Sequence, residues 1–502
     1  VEREAEAYDV TLRTVGRDGA PAVHHVLDLT GVSGLARDRW FTPYDPDGTV
    51  DLRVPAGDYI LDAGIIVDPE DATKGVDWLS RPRLTVDRRI SLTLDARTTR
   101  PVDVTVPDTA AEPLLAAAEF ALTVGGNDYS FGWLLDSYTG FGTAHLGPGT
   151  GGGRLTQTWA GQWTAGGTAQ YATVAGGRAE KLATGYTKHW RKGELATVRT
   201  GLGASSPGKK GAVFAWAELP GGSGAPAAGV PRPLPGRHTL RLSAADGVKW
   251  TLDFEQYGAE DEQGFPLLDA YYTTGDSRAY RAGRTYAQTF NVGIFGPRID
   301  GTHGIRRDGA YLYGMLPMFA DGLGHAGASF YEKVTTTLYR DGERFASGED
   351  ALDGSGQFKV PAGRAAYRLT TSLTRSAGLA GASSRIDASW TFASEKTARD
   401  TRLPVSTVRF AAPFLGLDST APAGRRATVR VTVQGAAADG NLGSLTVYVS
   451  DDGGTWTEVA LRKGAFTHRT PAAGKSVSLR AEVRDTKGNT STLTIHDAYV
   501  GR

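Results

Sequence analysis

Asp321, His325 and Ser329 stand at intervals of four and have the residue types of a nucleophilic triad. They overlap Gly322-Leu323-Gly324-His325-Ala326-Gly327, a G-x-G-x-x-G string that recurs at Gly147, Gly149 and Gly152. A triad is defined by geometry rather than by spacing, and Tyr331 stands where a nucleophile elbow needs its second glycine. The expectation is therefore a loop with a structural histidine. A phosphate cradle needs its glycines between a parallel strand and a helix N-terminus, and no such alternation surrounds either string. With 66 glycines in the chain, both strings read as turn glycines.

The nine histidines are scattered, and the adjacent pair, His24 and His25, falls in an extended stretch where successive side chains point to opposite faces. Such a pair cannot share one metal, and nothing follows the spacing of a catalytic zinc site. Calcium is the one metal to weigh. Asp45 and Asp47, and Asp485 with Asn489, offer hard oxygen ligands in turns, as Asp451-Asp452 does. Asp and Asn also build turns through their own side-chain hydrogen bonds, so the expectation is turn formation with structural calcium as the alternative and no other cofactor.

Tyr129, Phe131 and Trp133 alternate with Ser130 and Gly132, which lines them along one face of a strand, and Trp159, Trp163 and Trp190 follow within sixty residues. A one-sided aromatic row can stack against sugar rings or grip an extended peptide. The same row can be the core of a sandwich, and burial decides between the two. Glu260, Asp261 and Glu262 form a charged loop, and nothing pairs two carboxylates across a glycosidic bond.

Whatever these residues do, short strands must position them. The 502 residues are 40% hydrophobic and 22% charged, with 66 glycines and 24 prolines. That mixture belongs to a globular protein rich in tight turns, and its length allows roughly three to four domains. Fifty-five basic and 55 acidic residues balance to zero, so no global field draws the chain to nucleic acid or to an anionic membrane. No run of eighteen apolar residues suggests a membrane-spanning helix. With zero cysteines, disulfides, thiolate metal sites and a cysteine nucleophile are excluded. The chain begins at Val1 and has no methionine before Met315, from which we expect a piece of a longer precursor.

Apolar residues occupy every second position in Val50 to Val54 and in Thr428 to Val433, the pattern of half-buried antiparallel strands. Asp308-Gly309, Asp341-Gly342 and Asp452-Gly453 suit two-residue hairpin turns. The best helical candidate is Glu112 to Leu122, although it could continue as a strand. An internal repeat pairs Asp47-Gly48…Val54-Pro55-Ala56-Gly57-Asp58-Tyr59 with Asp353-Gly354…Val360-Pro361-Ala362-Gly363 and Tyr367. Both copies describe a strand, a tight turn and an antiparallel return strand with its Tyr facing a core. Composition places boundaries in Pro101 to Pro113 and either near Leu403 to Val408 or after the turn Asp418 to Gly424. Pro220 to Pro235 is a Gly, Ala and Pro-rich loop open to proteases. The expected units are a β-sandwich at 1–105, a large β-rich unit at 106–290, a β-sandwich at 291–405 and an immunoglobulin-like domain at 406–502. The fold class is all-β, with tandem β-sandwich domains, the last of them immunoglobulin- or fibronectin-like.

In several of these segments the chain resembles the non-catalytic C-terminal region of large secreted subtilisin-like (S8 family) serine peptidases of actinobacteria. The residues that carry the resemblance are Arg307 to Tyr313, Leu316 to Gly322, Thr337 to Gly342, Trp390 to Ser394, Leu403 to Phe410 and Tyr448 to Trp456, with the hairpin around Val54 to Tyr59. None of the family's catalytic motifs transfers. Asp418-Ser419 is followed by Thr420, Thr302-His303-Gly304 departs from the histidine motif, and Gly-Thr-Ser is absent. The resemblance implies a secreted accessory arm whose partner is an upstream subtilisin-like catalytic domain, together with a protein or polysaccharide substrate. The alternative function is a carbohydrate- or cell-surface-binding β-protein using the aromatic face.

Overall fold

A half-buried strand needs a second layer over its apolar face, and this chain satisfies that need by stacking sheets. The computed structural model describes residues 6–150, 154–221 and 224–502. Gly152 of the second glycine string lies outside them. The described residues form seven β-sheets and four three-residue 3-10 helices. The fold class is all-β, as its turn chemistry and alternation dictate.

The first sandwich pairs a three-stranded sheet, Thr49–Pro55, Ala7–Val15 and Ile90–Asp95, with a seven-stranded sheet that includes His25–Gly31, Gly57–Ile66 and Val76–Val86. Val10, Leu12, Val50 and Val54 from one sheet close on Leu29, Tyr59, Leu61 and Leu79 from the other. The seven-stranded sheet is buried on its second face as well. There Ile60, Val76 and Trp78 meet Ala118, Phe120, Leu122 and Trp159 of the next sheet, also seven-stranded. That sheet carries Glu112–Val124, Asn127–Leu135, Leu155–Ala165 and Ala169–Ala179. It too is covered twice, since Ala160, Ala172 and Val174 belong to a cluster that continues through Trp250, Phe254, Phe319, Leu369 and Trp390 to Tyr499. Sheets covered on both faces lose the exposed half of the alternation, which is why Leu155–Ala165 is almost continuously buried, Gln157, Thr158 and Gln162 included.

Glu112–Val124 is a strand and not a helix. Its buried residues, Ala116, Ala118, Phe120 and Leu122, fall at every second position, and the small ones let two sheets approach across it. The Asp-Gly pairs fall in hairpins. Asp341 and Gly342 both take positive φ between Arg340 and its partner Glu343, the two-residue turn expected, whereas Asp452-Gly453 lies in a longer loop between Ser450 and Thr457. The repeat departs from a hairpin in both copies. Thr49–Pro55 pairs with Ala7–Val15, while Gly57–Ile66 joins the opposite sheet beside His25–Gly31. Likewise Phe358–Lys359 pairs with Tyr311–Met315, while Ala365–Thr374 pairs with Lys333–Arg340 and Arg385–Ser394. Pro-Ala-Gly is therefore a corner that carries the chain between sheets. Close approach makes Gly57 necessary, because a Cβ there would meet Ser33 O at 2.3 Å. The tyrosines face a core as expected: Tyr59 is 0% and Tyr367 2% exposed.

Strand pairs cross all three positions read as boundaries. Gly142–His145 sits between Arg100–Thr105 and Val76–Val86, Pro266–Thr273 pairs with Ala326–Ser329, and Arg385–Ser394 pairs with Thr490–Gly501. Residues 406–501 supply a small sheet, Ser406–Ala411, Arg426–Gly435 and Ala465–Arg469, that covers the end of a nine-stranded one. Described parts of 220–235 are held down by two buried glutamines. Gln162 Nε2 donates to Pro226 O at 3.2 Å and its Oε1 accepts from Ala228 N at 3.1 Å, while Gln170 Nε2 donates to Ala228 O at 2.8 Å.

Candidate functional site

The six aromatic candidates separate by burial. Trp159, Trp163 and Trp190 are 4, 7 and 3% exposed, so none of them can stack on a ligand. Trp159 lies flat on Tyr186 with ring centroids 4.7 Å apart, and Lys188 Nζ caps Trp190. Tyr129, Phe131 and Trp133 do share one face of Asn127–Leu135, and it is the inner face. Phe131 stacks on Phe120 at 5.3 Å, and Phe120 on Trp78 at 5.6 Å. The row is half-buried sandwich core, and Trp133 also lines a surface cavity, beside Pro69, Leu135 and Phe141.

The calcium candidates are turn builders. Asp45 Oδ1 accepts from Asp47 N at 2.9 Å, and Asp47 is exposed. Asp485, 4% exposed, accepts from Lys487 N and Asn489 N through Oδ1 and from Asn489 Nδ2, 2.7 Å away, through Oδ2. Both carboxylate oxygens already face N–H donors, and Asn489 points its donor at the carboxylate. That arrangement does not fit a cation. Among the described residues no group of three or more His, Cys, Asp or Glu is placed to hold a metal.

Asp321 and His325 do come together. Asp321 is fully buried, and its Oδ2 lies 2.7 Å from His325 Nδ1 and accepts from Asn291 N at 3.1 Å. Its Oδ1 takes the backbone N–H groups of Leu323 and His325. The ring packs on Phe290 at 4.7 Å, and its Nε2 faces the Gln288 amide at 2.5 Å. The position a nucleophile would need is thus filled by an amide. Ser329 is engaged elsewhere, its Oγ donating to Phe330 O and accepting from Arg375 Nη1 at 3.1 Å. Gly322 and Gly327 serve close backbone contacts, since a Cβ would meet Gly293 O at 2.1 Å and Tyr271 O at 2.0 Å. The pair and its glycines fold a loop rather than cradle a phosphate.

Two buried arginines surround this loop. Arg375 lies over Phe319 at 4.3 Å and donates to Ala382 O and Ser383 O; Arg409 donates to the carbonyls of Gly296, Ala320 and Asp321. Burial pushes both guanidinium groups down to about 10. Their five-donor forks satisfy backbone that has left the ladders, the use for which arginine is suited.

Beside the loop runs a groove of about 340 Å³ that sequence reasoning missed. One wall is Ala326–Ser329, the last strand of its sheet, and the other is Met315 to Phe319 with Leu373. Tyr331 and Asp353 stand at its rim. The available signal was four small residues, Ala-Gly-Ala-Ser, directly before an aromatic pair, Phe330-Tyr331, which is 59 and 36% exposed.

No protein-family model and no curated protein matches the chain. Among solved structures it is similar to the TIE protein of Bacillus anthracis at 12% identity, over 57% of this chain and 50% of that one, with a TM-score of 0.13. The chain therefore spans half the length of that protein. It is also similar to BcpA, the major pilin subunit of Bacillus cereus (9% identity, 57% and 99% covered, TM-score 0.13), and to an Escherichia coli alpha-2-macroglobulin (10%, 93% and 46%, 0.13). Likenesses at this level carry nothing about function, and none ties the chain to a subtilisin-like peptidase.

Proposed function

We propose that this chain is the non-catalytic accessory arm of a secreted subtilisin-like serine peptidase, holding substrate or a surface near a catalytic domain to which it is joined. The observation that carries the reading is what the residues of the resemblance do. Arg307, 0% exposed, donates to Gly309 O at 2.8 Å and Pro361 O at 3.0 Å, which fixes the turn of one hairpin to the sheet-crossing corner. Trp390 is 1% exposed and donates to Ser406 O at 2.9 Å, tying the nine-stranded sheet to the segment Leu403 to Phe410. The shared segments are framework, as expected of an arm whose work is positional. A core cluster that continues from Ala160 to Tyr499 makes the arm stiff, which favours holding over hinged closure.

The reading is tested on purified residues 1–502 with a fluorophosphonate probe and with peptide, ester and glycoside substrates. No labelling and no turnover are expected. Turnover that survives purification to homogeneity and is lost on changing His325 to Ala would overturn it.

A further inference from the structure

We infer that the groove along Ala326–Ser329 binds an extended, positively charged segment of another protein, which adds to the sheet as a further strand. The inference stands on the groove alone and does not need the peptidase reading. Where both hold, the groove would grip a stretch of substrate away from the catalytic site.

The sheet that ends here runs inward from Ala326–Ser329 to Pro266–Thr273 and Lys249–Glu260. Ala326–Ser329 pairs on one side only, from Ala270↔Ser329 to Thr273↔Ala326, and among the described residues no strand takes the other side. Natural edges are blunted with lysine, proline, inward charges or bulges. This one has only its shortness: its four residues are Ala, Gly, Ala and Ser, and all four line the groove. Small side chains leave the backbone reachable, and Ala328 is exposed. An added strand would gain main-chain hydrogen bonds, with alternate side chains set against Leu316, Phe319 and Leu373.

Charge selects the occupant. Tyr331 lies within the field of Asp353, Asp350 and Glu349; burial first and then these carboxylates hold its hydroxyl above the usual tyrosine range. Of these, Asp353 lines the groove itself. His303, the one basic residue among those lining the groove, is already bound to Asp300 at 2.9 Å. An acidic rim beside an apolar floor and an open ladder fits a strand whose side chains alternate between apolar and Lys or Arg. Four residues of ladder limit the contact, so the affinity belongs in the micromolar range.

The test uses the full 502-residue chain and fluorescein-labelled peptides of about ten residues, with binding read by anisotropy. A valine–lysine alternating peptide is expected to saturate. A valine–glutamate peptide, and a valine–lysine peptide N-methylated at every second residue, should each bind at least about tenfold more weakly. Ala328→Trp fills the groove from an exposed position and should weaken binding at least about tenfold, with the unfolding midpoint kept. Asp353→Lys, at the rim, should move the preference toward the glutamate peptide. Absence of saturable binding by the valine–lysine peptide would overturn the inference. So would equal binding of the N-methylated peptide, which marks mere charge adsorption, or indifference to both substitutions.

Discussion

The Trp133 indole occupies the space a side chain on Gly64 would need, since a Cβ at Gly64 would lie 2.0 Å from Trp133 Cζ2. Gly64 is on a central strand of one sheet and Trp133 on the edge strand of the next, so this contact fixes how closely the two layers approach. Gly64→Ala should cost about 1–3 kcal/mol by overpacking, measured by urea unfolding. The cost should shrink when Trp133→Ala is present, because the clash then disappears. Equal cost in both backgrounds would contradict the contact.

Asp62 and His238 should shape the acid limb of stability with opposite signs. Asp62 accepts from Trp78 Nε1 at 2.7 Å and from Ser80 Oγ, and burial, opposed by these bonds and helped by Asp28 across the strand pair, raises its carboxyl to about 6. The folded state thus prefers the protonated form; that stability is complete below the ordinary carboxyl range and is lost as pH rises through about 6. Asp62→Asn keeps an acceptor for both donors and should remove this loss, gaining about 2 kcal/mol on wild type between about pH 4 and pH 7. His238, 4% exposed, is pushed down to about 4 by burial and then by Arg232. Its neutral form stabilises above the ordinary histidine value, and that contribution falls away as pH drops from there towards about 4. His238→Leu should flatten that decline. Urea unfolding across this range checks both, and parallel curves for wild type and variants would refute the assignments.

The loop at 224–237 should resist proteolysis while Gln162 and Gln170 hold it. Gln162→Ala leaves the Ala228 N–H and the Pro226 carbonyl without their partner and leaves Gln170 a lone anchor. Thermolysin cleavage mapped beyond Ala225 should then rise at least about tenfold, following local opening rather than global unfolding. An unchanged rate would mean that the loop is held by something else.

Chelators should leave the fold alone. Because the Asp485 carboxylate already faces three N–H donors, EDTA should shift the unfolding midpoint by less than about 1 °C. Asp485→Ala should cost about 2 kcal/mol by stranding those donors. A drop of several degrees on chelation, reversed by calcium, would contradict the geometry.

Local signals were legible and long-range ones were not. Alternation at Arg426–Gly435, the Asp341-Gly342 turn and the inward Tyr59 and Tyr367 all depend on residues a few positions apart, and each is as the sequence suggests. Glu112–Val124 was ambiguous because alanine favours a helix in isolation, and only the neighbouring sheets make it a strand. Pro-Ala-Gly marks a reversal but cannot say whether the next strand returns to its own sheet or crosses to the other. The core positions of Trp159 and Trp163 follow from a sheet covered on both faces, and that of Trp190, just after Tyr186–His189, from packing in one cluster with Trp163; no single strand reveals either. Arg375 and Arg409 look like surface residues in sequence, yet both sit inside, where irregular backbone needs donors.

An arm that serves a peptidase from outside its catalytic domain should be found joined to that domain or held by it. The direct measurement is fluorophosphonate labelling of the native protein from culture fluid, captured with an antibody to residues 1–502 and mapped by mass spectrometry. The account predicts a labelled serine in a subtilisin-like segment that is covalently joined to, or co-purifies in stoichiometric amount with, an unlabelled arm. A captured protein that carries no label, or a label within residues 1–502, would contradict it.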